Sequence, residues 1–365
     1  MDNTPTSARD QNVGDMMKSA LCAWGRSHPR RLLFFLGIAW RMWWARRRRR
    51  RAKQQVGGPV PSIVGISPTM RCNYHCKGCY SRGRPVDDEL TTAELHALLA
   101  EAEALGVSAI VVTGGEPFMR PDLIDLMAAH RRLLFVPITN GSLITPHAAR
   151  RIAASGNVMP LGSIEGFAHD TDRRRQPGAH EAVLRAFGHF RQAGACFGFS
   201  AVNTQANCQH LGSDAFVDEM IERGCAVGYY TEYVPCGPDP HPDWVPDATT
   251  RAAFRQRVLD QRRTKPIVLI QLPHDEYGAA NRCSAAGQES LHINPQGAVE
   301  PCPFMPVARD NIRDGGLRAA CQSPFLRAIR EHPLLLQRQR YACALFEHQA
   351  ELHDIAPTLG AHPSG

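Results

Sequence analysis

The feature that most constrains the fold of this chain is a regular alternation of short β-rich runs and longer helical patterns. The β-rich runs cover residues 63–67, 109–113, 134–139, 158–164, 196–202 and 226–234, with a possible further strand at 267–272. Alternating strands and helices predict a parallel sheet with right-handed crossovers. Six such units fit an α/β fold, a partial (β/α)6 TIM-like barrel, in which functional side chains follow the carboxyl ends of the strands.

Changes in composition divide the chain into four predicted parts. A segment rich in glycine and proline at residues 54–61 separates an N-terminal part, 1–57, from the barrel, 58–275. Short strands, turns and cysteines then predict a small α+β domain over 276–350, and residues 351–365 are expected to form a flexible tail. No secretory signal pattern opens the sequence, so the 12 cysteines are expected to be reduced thiols or metal ligands.

Positive charge is concentrated in the N-terminal part. The net charge is +7, yet residues 1–53 alone hold 13 Lys/Arg and 3 Asp/Glu, so the remainder is slightly acidic. An apolar stretch containing Trp40, Trp43 and Trp44 precedes the arginine run 46–51. Tryptophan favours the membrane–water interface and arginine favours anionic lipid. The pattern predicts a basic amphipathic helix on a membrane surface. A solvated tail, a nucleic-acid-binding arm and a docked partner protein are the alternatives.

The strongest local signal is the sequence RCNYHCKGCY. It places Cys72, Cys76 and Cys79 in a C-x3-C-x2-C loop directly after the first predicted strand. Three thiolates on one loop can bind three irons of a [4Fe–4S] cluster and leave the fourth iron open. A structural zinc site would need a fourth ligand, and His75 lies between two of the cysteines. The spacing therefore favours a cluster, with zinc as the alternative.

This loop resembles that of the radical S-adenosylmethionine (SAM) enzymes, in which an aromatic residue, here Tyr80, adjoins the last cysteine. The resemblance covers residues 63–234, approximately. It implies that the open iron chelates SAM and that one electron from the cluster cleaves SAM to methionine and a 5′-deoxyadenosyl radical. That radical would then abstract a hydrogen atom from a substrate.

Further motifs occur where that family has them. Gly114, Gly115 and Glu116 resemble its GGEP motif, in which glycines allow a close backbone approach and the carboxylate accepts from the ammonium of SAM. The same resemblance implies SAM contacts for Asn140 after strand three, Ser163 and Glu165 after strand four, Arg174 in the next loop, Ser200 on strand five and Val234 after strand six. Among the consecutive arginines 173–175, Arg174 is the preferred partner for the SAM carboxylate. Ordinary turn, core or solvated roles are the alternatives.

Four downstream cysteines resemble the start of the auxiliary-cluster domains, SPASM or twitch, that many radical SAM enzymes carry: Cys283, Cys302, Cys321 and Cys343. The sequence at 294–297 predicts a hairpin turn that brings Cys283 and Cys302 together. Cys321 lies in a predicted helix and is either a fourth ligand or a buried thiol. A full SPASM pattern has further cysteines that are missing here, so one auxiliary [4Fe–4S] cluster is expected.

The sequence thus predicts a radical SAM enzyme that takes electrons from a low-potential donor such as flavodoxin or ferredoxin and binds no nucleic acid. The N-terminal part favours a cytoplasmic protein on the inner face of the cell membrane, acting on a membrane lipid. A maturase of a ribosomal peptide or cofactor precursor is an alternative. A non-catalytic iron–sulfur electron carrier and a zinc-bound scaffold are two others, and neither of them would cleave SAM.

Overall fold

The computed structural model describes residues 29–277 and 281–365, and its centre is one curved sheet of nine strands. These strands are β1 (Ile63–Ile66), β2 (Ala109–Val112), β3 (Leu134–Thr139), β4 (Leu161–Ser163), β5 (Gly198–Asn203), β6 (Val227–Glu232), β7 (Val268–Leu272), β8 (Ser290–Ile293) and β9 (Val299–Glu300). Their order across the sheet is β7-β6-β5-β4-β3-β2-β1-β8-β9. Neighbours from β7 to β8 are parallel, and β9 is antiparallel to β8.

Helices connect and cover these strands. Through the barrel they are α1 (Pro29–Val56), α2 (Thr92–Leu105), α3 (Leu123–Ala129), α4 (Pro146–Ser155), α5 (Ala168–Arg174), α6 (Ala179–Ala193), α7 (Cys208–Leu211), α8 (Asp214–Arg223), α9 (Ala248–Thr264) and α10 (His274–Tyr277). Four more follow the last strands of the sheet: α11 (Ile312–Cys321), α12 (Pro324–Glu331), α13 (Ala344–Glu347) and α14 (Gln349–Ile355). Sequence signals set their ends. In α2, Thr91 and Glu94 form a capping box and Gly106 ends the helix with φ 80°.

The predicted partial barrel is confirmed, and β7 adds a seventh parallel strand to the six that were expected. In β1 and β2, alternate residues such as Val64 and Ile110 are buried under the helices. The residues between them, Ile63 and Val111, face the inside of the curve and line a cavity. The period of two along each strand therefore separates a helix-covered core from the cavity wall.

Helix α1 closes the base of the barrel, at the amino-terminal ends of the strands. Phe35 and Ile38 on its inner face are buried in a cluster with Leu161 of β4 and Val227 of β6. This packing differs from the expected helix whose whole apolar face lies on a membrane, because part of that face is covered by the barrel. Within the described residues, no helix is long and apolar enough to cross a bilayer.

Three arginines fasten α1 to the ends of other helices. Each donates to the carbonyl of a glycine that caps a helix just before a strand: Arg31 to Gly224 at 2.7 Å, Arg41 to Gly156 at 3.0 Å and Arg49 to Gly106 at 3.2 Å. Carbonyl groups at helix carboxyl termini carry the negative end of the helix dipole and attract cations. Part of the basic charge of this segment is thus used inside the molecule.

Residues 276–350, expected to be a separate small domain, extend the barrel sheet. Their strand β8 pairs parallel with β1, and Ser290 lies opposite Ile63. The predicted hairpin joins β8 to β9. In its turn the Asn294 side-chain oxygen accepts from the N–H groups of Gln296 and Ala298 at 3.1 and 2.9 Å, and Gly297 has φ 85°.

Residues 351–365 form ordered elements in place of the flexible tail expected there. They complete α14 and end in the short strand β11 (His362–Pro363), which pairs antiparallel with β10 (Val307–Ala308). The carbonyl of Ser364 accepts from the Asn294 amide at 2.8 Å. Each of these strands is only two residues long, so the sequence contains no pattern that predicts the pairing.

Candidate functional site

A cavity of about 820 Å³ opens at the carboxyl-terminal ends of the barrel strands. Both predicted sets of cysteines contribute to its walls: Cys72, Cys76 and Cys79 on one side, and Cys283, Cys302 and Cys343 on the other. Two segments about 200 residues apart in sequence therefore share one chamber. The pairing of β8 with β1 brings the second cysteine set next to the first.

The loop after β1 carries the cysteine triad. Cys72 is exposed, and Cys76 and Cys79 are half-buried. The N–H of Tyr74 donates to Cys72 Sγ at 3.4 Å, and the N–H of Lys77 donates to the carbonyl of Arg174 at 2.8 Å. Within the described residues, no three Cys, His, Asp or Glu side chains converge as the ligands of a single metal ion do. In a [4Fe–4S] cluster each thiolate binds a separate iron.

The glycines after β2 lie against the backbone of the cysteine loop. A Cβ on Gly114 would lie 2.4 Å from the carbonyl oxygen of Thr69, and one on Gly115 would lie 2.2 Å from that of Arg71. Gly115 N–H donates to Thr69 and Glu116 N–H donates to Arg71, at 3.0 and 2.9 Å. The close approach expected of these glycines therefore includes an approach to the cysteine loop itself.

Glu116 is buried and joins the loop after β2 to the end of β3. Its carboxylate accepts from the hydroxyl of Thr139 and the N–H of Asn140, both at 2.7 Å, and from the N–H of Phe118 at 3.2 Å. Burial raises the pKa of Glu116 above its ordinary value, although these hydrogen bonds act in the opposite direction. The residue lines the cavity, and most of its acceptor capacity is used by the protein.

Glu165 differs most from its expected role. It is fully buried, does not line the cavity, and binds Arg174 and Arg175 through one oxygen at 2.6 Å each. Its other oxygen accepts from the N–H of Val202 at 2.9 Å. Burial opposes ionisation, but the two guanidinium groups lower the pKa of Glu165 below its usual value. Glu165 therefore positions the arginines, and the arginines reach the cavity.

Arg174 retains an unused donor. Its Nε is buried and has no hydrogen-bond partner among the described residues. Arg175 also lines the cavity, whereas Arg173 is 51% exposed and lies near Asp170. Two of the three candidate arginines, Arg174 and Arg175, therefore reach the cavity, and the choice of Arg174 stays a prediction. The only signal for Arg175 in the sequence is its position beside Arg174.

The remaining predicted contacts surround the same chamber. Each of the following lines the cavity: Tyr80, Asn140, Ser163, Ser200 and Val234. Asn140 is fixed by donating to the side chain of Asn73 at 2.9 Å. Tyr80 packs edge-on against Phe304, with ring centroids 5.2 Å apart, and so connects the cysteine loop to the second cysteine set.

Three of the four downstream cysteines come together. Cys283, Cys302 and Cys343 line the chamber. Cys321 does not join them. It is buried at the end of α11, where Glu101 is the nearest charge acting on it and its carbonyl lies against Gly58. Its place as a fourth ligand was therefore wrong, and its interpretation as a buried thiol agrees with the structure.

Comparison with known sequences identifies the family of the chain. Residues 66–202 match the Radical SAM superfamily. The mycofactocin maturase MftC of Mycobacterium tuberculosis is 30% identical over 292 residues, an alignment that covers 72% of this chain and 71% of that protein. The chain belongs to the radical SAM superfamily. As a radical SAM enzyme it uses a [4Fe–4S] cluster and SAM.

Other relatives of this radical SAM enzyme are synthases of cofactors. The AdoMet-dependent heme synthase of Nitratidesulfovibrio vulgaris is 28% identical over 286 residues, covering 71% of this chain and 78% of that protein. Among solved structures, Streptococcus suis SuiB bound to the precursor peptide SuiA has a TM-score of 0.63 at 15% identity. That alignment covers 78% of this chain and 70% of SuiB. This structural similarity supports the fold and, at that identity, nothing finer.

The residues in the chamber fit the cofactors of the radical SAM superfamily. Three thiols stand on one loop that lines the chamber, which matches the three protein ligands of a cluster with an open iron. The unpartnered Nε of Arg174 offers a charged donor to an anion such as a carboxylate. Two arginines also face one carboxylate, Glu165, so this wall of the chamber is positively charged.

Proposed function

We propose that this enzyme is a maturase that removes a hydrogen atom from a cofactor precursor or a peptide. The observation that carries the proposal is the single chamber shared by both cysteine sets, since a substrate between them would be near both. The relatives support the same conclusion, because the heme synthase and the mycofactocin maturase both align over more than two thirds of this chain. They give no support to the membrane-lipid substrate that the sequence favoured.

In this proposal Cys72, Cys76 and Cys79 bind the first cluster. When bound and reduced, that cluster supplies the electron that cleaves SAM and yields the 5′-deoxyadenosyl radical. The contacts of Gly114 and Gly115 with the cysteine loop hold its backbone in place. A low-potential protein such as flavodoxin or ferredoxin remains the predicted electron donor.

The walls beside the triad would hold SAM. Arg174 would donate its free Nε–H to the SAM carboxylate, and Glu165 would keep the guanidinium in position. Ser163 and Ser200, at adjacent positions on β4 and β5, offer hydroxyl groups to the polar part of SAM. Val234 would cover the adenine ring.

The chemistry of the substrate is indicated by the rest of the chamber. Its wall includes the apolar side chains of Ile63, Val111 and Ile270. Arg71 and Arg82 also line the chamber and are exposed, and Arg71 is paired with Glu89 at 3.1 Å. An apolar wall together with exposed arginines fits a largely apolar molecule that carries carboxylate groups. Tetrapyrrole precursors and peptide carboxyl termini both have that chemistry.

The proposal is tested by measuring 5′-deoxyadenosine from reduced protein and SAM. A carboxylate-bearing tetrapyrrole or a peptide that is a substrate should increase its formation and lose hydrogen to it, which deuterium labelling detects. Cys76→Ala should abolish the product, whereas Cys225→Ala, at a buried thiol away from the chamber, should retain it. Deoxyadenosine formation by Cys76→Ala at the full rate would overturn the assignment.

We also propose that the outer face of α1 binds an anionic membrane surface. Leu33, Leu36 and Trp40 are 68%, 51% and 63% exposed, at helical spacing along one side. Trp43 continues this side, and the guanidinium of Arg47 lies 3.6 Å from its ring centroid. Exposed apolar area of this kind needs a partner. The arginines beside it favour anionic lipid over a neutral protein surface.

Vesicle sedimentation tests this second proposal. The full chain should pellet with vesicles containing phosphatidylglycerol and remain in solution with phosphatidylcholine alone, because the arginines require anionic headgroups. Trp40→Ala combined with Trp43→Ala should release it. A control with Leu143→Ala and Leu334→Ala removes exposed apolar side chains elsewhere and should still pellet. The proposal is contradicted if the full chain pellets equally with both vesicle types. It is also contradicted if the tryptophan variant pellets with the anionic vesicles as the full chain does.

A further inference from the structure

Two side chains of the short helix α10, Glu276 and Tyr277, lie beside the second cysteine set, Cys283, Cys302 and Cys343. Tyr277 fixes the backbone on both sides of Cys343: its hydroxyl donates to the carbonyl of Ala342 at 3.0 Å and accepts from the N–H of Ala344 at 2.8 Å. Glu276, the residue before it, lines the chamber together with the three cysteines. The turn after β7 therefore belongs to this site, although no cysteine lies in it.

The carboxylate of Glu276 is held beside the cysteine set. The hydroxyl of Ser284, the residue next to Cys283, donates to one of its oxygens at 3.0 Å. Glu276, Cys283, Cys302 and Cys343 all line the same chamber. A carboxylate is therefore fixed at the edge of the three thiols.

Other cysteines are worse placed to complete the set. Cys321 lies beside Glu101 and Gly58, away from the chamber. Cys236 lines a neighbouring cavity with Arg84 and Phe304 and does not line the chamber. In the part of the chain that the structure describes, three acidic side chains line the chamber, and two of them are bound away from the second cysteine set: Glu116 by Thr139 and Asn140, and Glu232 by Arg251. Glu276 is the one bound by Ser284, beside Cys283.

We propose that Glu276 is the fourth protein ligand of the auxiliary cluster, completing a site of three thiolates and one carboxylate. The inference rests on the proposed function, which places a cluster at Cys283, Cys302 and Cys343. Carboxylate oxygen is a weaker donor to iron than thiolate. Replacing thiolate by a weaker donor raises the reduction potential, as histidine does in Rieske centres. The cluster is then closed to substrate and transfers electrons at a higher potential than a four-cysteine cluster.

The test uses the full chain with Cys72, Cys76 and Cys79 changed to Ala, so that only the auxiliary cluster forms. After reconstitution with ⁵⁷Fe, about four irons per chain are expected, one with a distinct Mössbauer signal from oxygen ligation. Cyanide, which binds an open iron, should leave the electron paramagnetic resonance spectrum of this parent unchanged. It should shift the spectrum of Glu276→Ala. In Glu276→Cys a fourth thiolate should keep the cluster closed, so cyanide should leave its electron paramagnetic resonance spectrum unchanged. The distinct Mössbauer signal should disappear, and the reduction potential of the cluster should be lower than in the parent.

Glu289→Ala is the matched control, because its carboxylate binds Ser62 at 2.7 Å and does not line the chamber. If Glu276→Ala alone loses iron while circular dichroism is unchanged, the ligand assignment is supported. Four irons with the same cyanide response in parent and Glu276→Ala overturn it. A cyanide response that appears in Cys236→Ser and not in Glu276→Ala also overturns it, because Cys236 would then be the fourth ligand. Absence of iron from the parent would instead refute the auxiliary cluster of the proposed function.

Discussion

Arg174 and Arg175 share a single oxygen of Glu165, and this arrangement gives one wall of the chamber a positive charge. Burying two cations against one anion is costly unless a second anion compensates them. In the proposed function that anion is the SAM carboxylate, which would accept from the unpartnered Nε of Arg174. Sequence reasoning identified Arg174 and Glu165 but gave both to SAM, because spacing does not reveal that the two side chains bind each other.

Arg174→Gln should weaken SAM binding by roughly tenfold to a hundredfold, because a hydrogen bond to a charged group contributes about 1.5–3 kcal/mol. The measurement is equilibrium binding of SAM to the reconstituted, oxidised protein. Arg173→Gln removes a neighbouring exposed arginine and should bind SAM as the parent does. Equal loss in both variants would mean that general positive charge, and no directed contact, is responsible.

Gly115→Ala should prevent assembly of the first cluster, because the added Cβ would lie 2.2 Å from the carbonyl oxygen of Arg71. The expected result is the loss of about four irons per chain, measured after anaerobic reconstitution. Gly188→Ala is the control: it lies inside α6 with no atom within 4 Å of the new Cβ. It should keep the iron, and helix propensity predicts a slight gain in stability. Full iron content in Gly115→Ala would contradict the account.

Helix α1 shows how one element can serve two surfaces. Its inner side carries Phe35, Ile38 and three arginines that bind helix ends, and its outer side exposes tryptophan and further arginine. The sequence predicted the helix and its affinity for apolar surroundings. It could not predict which arginines face inward, because both sides of the helix carry the same residue types.

Replacing Arg31, Arg41 and Arg49 together by Ala should lower the free energy of unfolding by about 2–4 kcal/mol, since three charge-assisted hydrogen bonds are partly exposed to solvent. Urea unfolding measures the change. The matched variant replaces Arg46, Arg47 and Arg50, which are exposed, and should leave stability unchanged while weakening binding to anionic vesicles. If the two variants unfold alike, α1 is not fastened by these arginines.

Across the whole molecule, local patterns predicted more than long-range pairing. The alternation of strands and helices gave the barrel, and cysteine spacing gave both cysteine sets. The pairing of β8 with β1 was missed. Two buried side-chain hydrogen bonds connect this region: Ser67 with His292 at 2.8 Å, and His292 with Glu300 at 2.6 Å. The role of Cys321 stayed open between ligand and buried thiol for the same reason, because contacts between distant segments leave no period in a sequence.

The proposed function requires a SAM-cleaving cluster and a second cluster in one chamber. Both are measured on anaerobically reconstituted protein, by counting iron and sulfide and then assaying 5′-deoxyadenosine after reduction and addition of SAM. We expect about eight irons per chain together with deoxyadenosine, and about four irons with some remaining deoxyadenosine in Cys283→Ala. Bound zinc in place of iron, with no deoxyadenosine, would refute the proposed function.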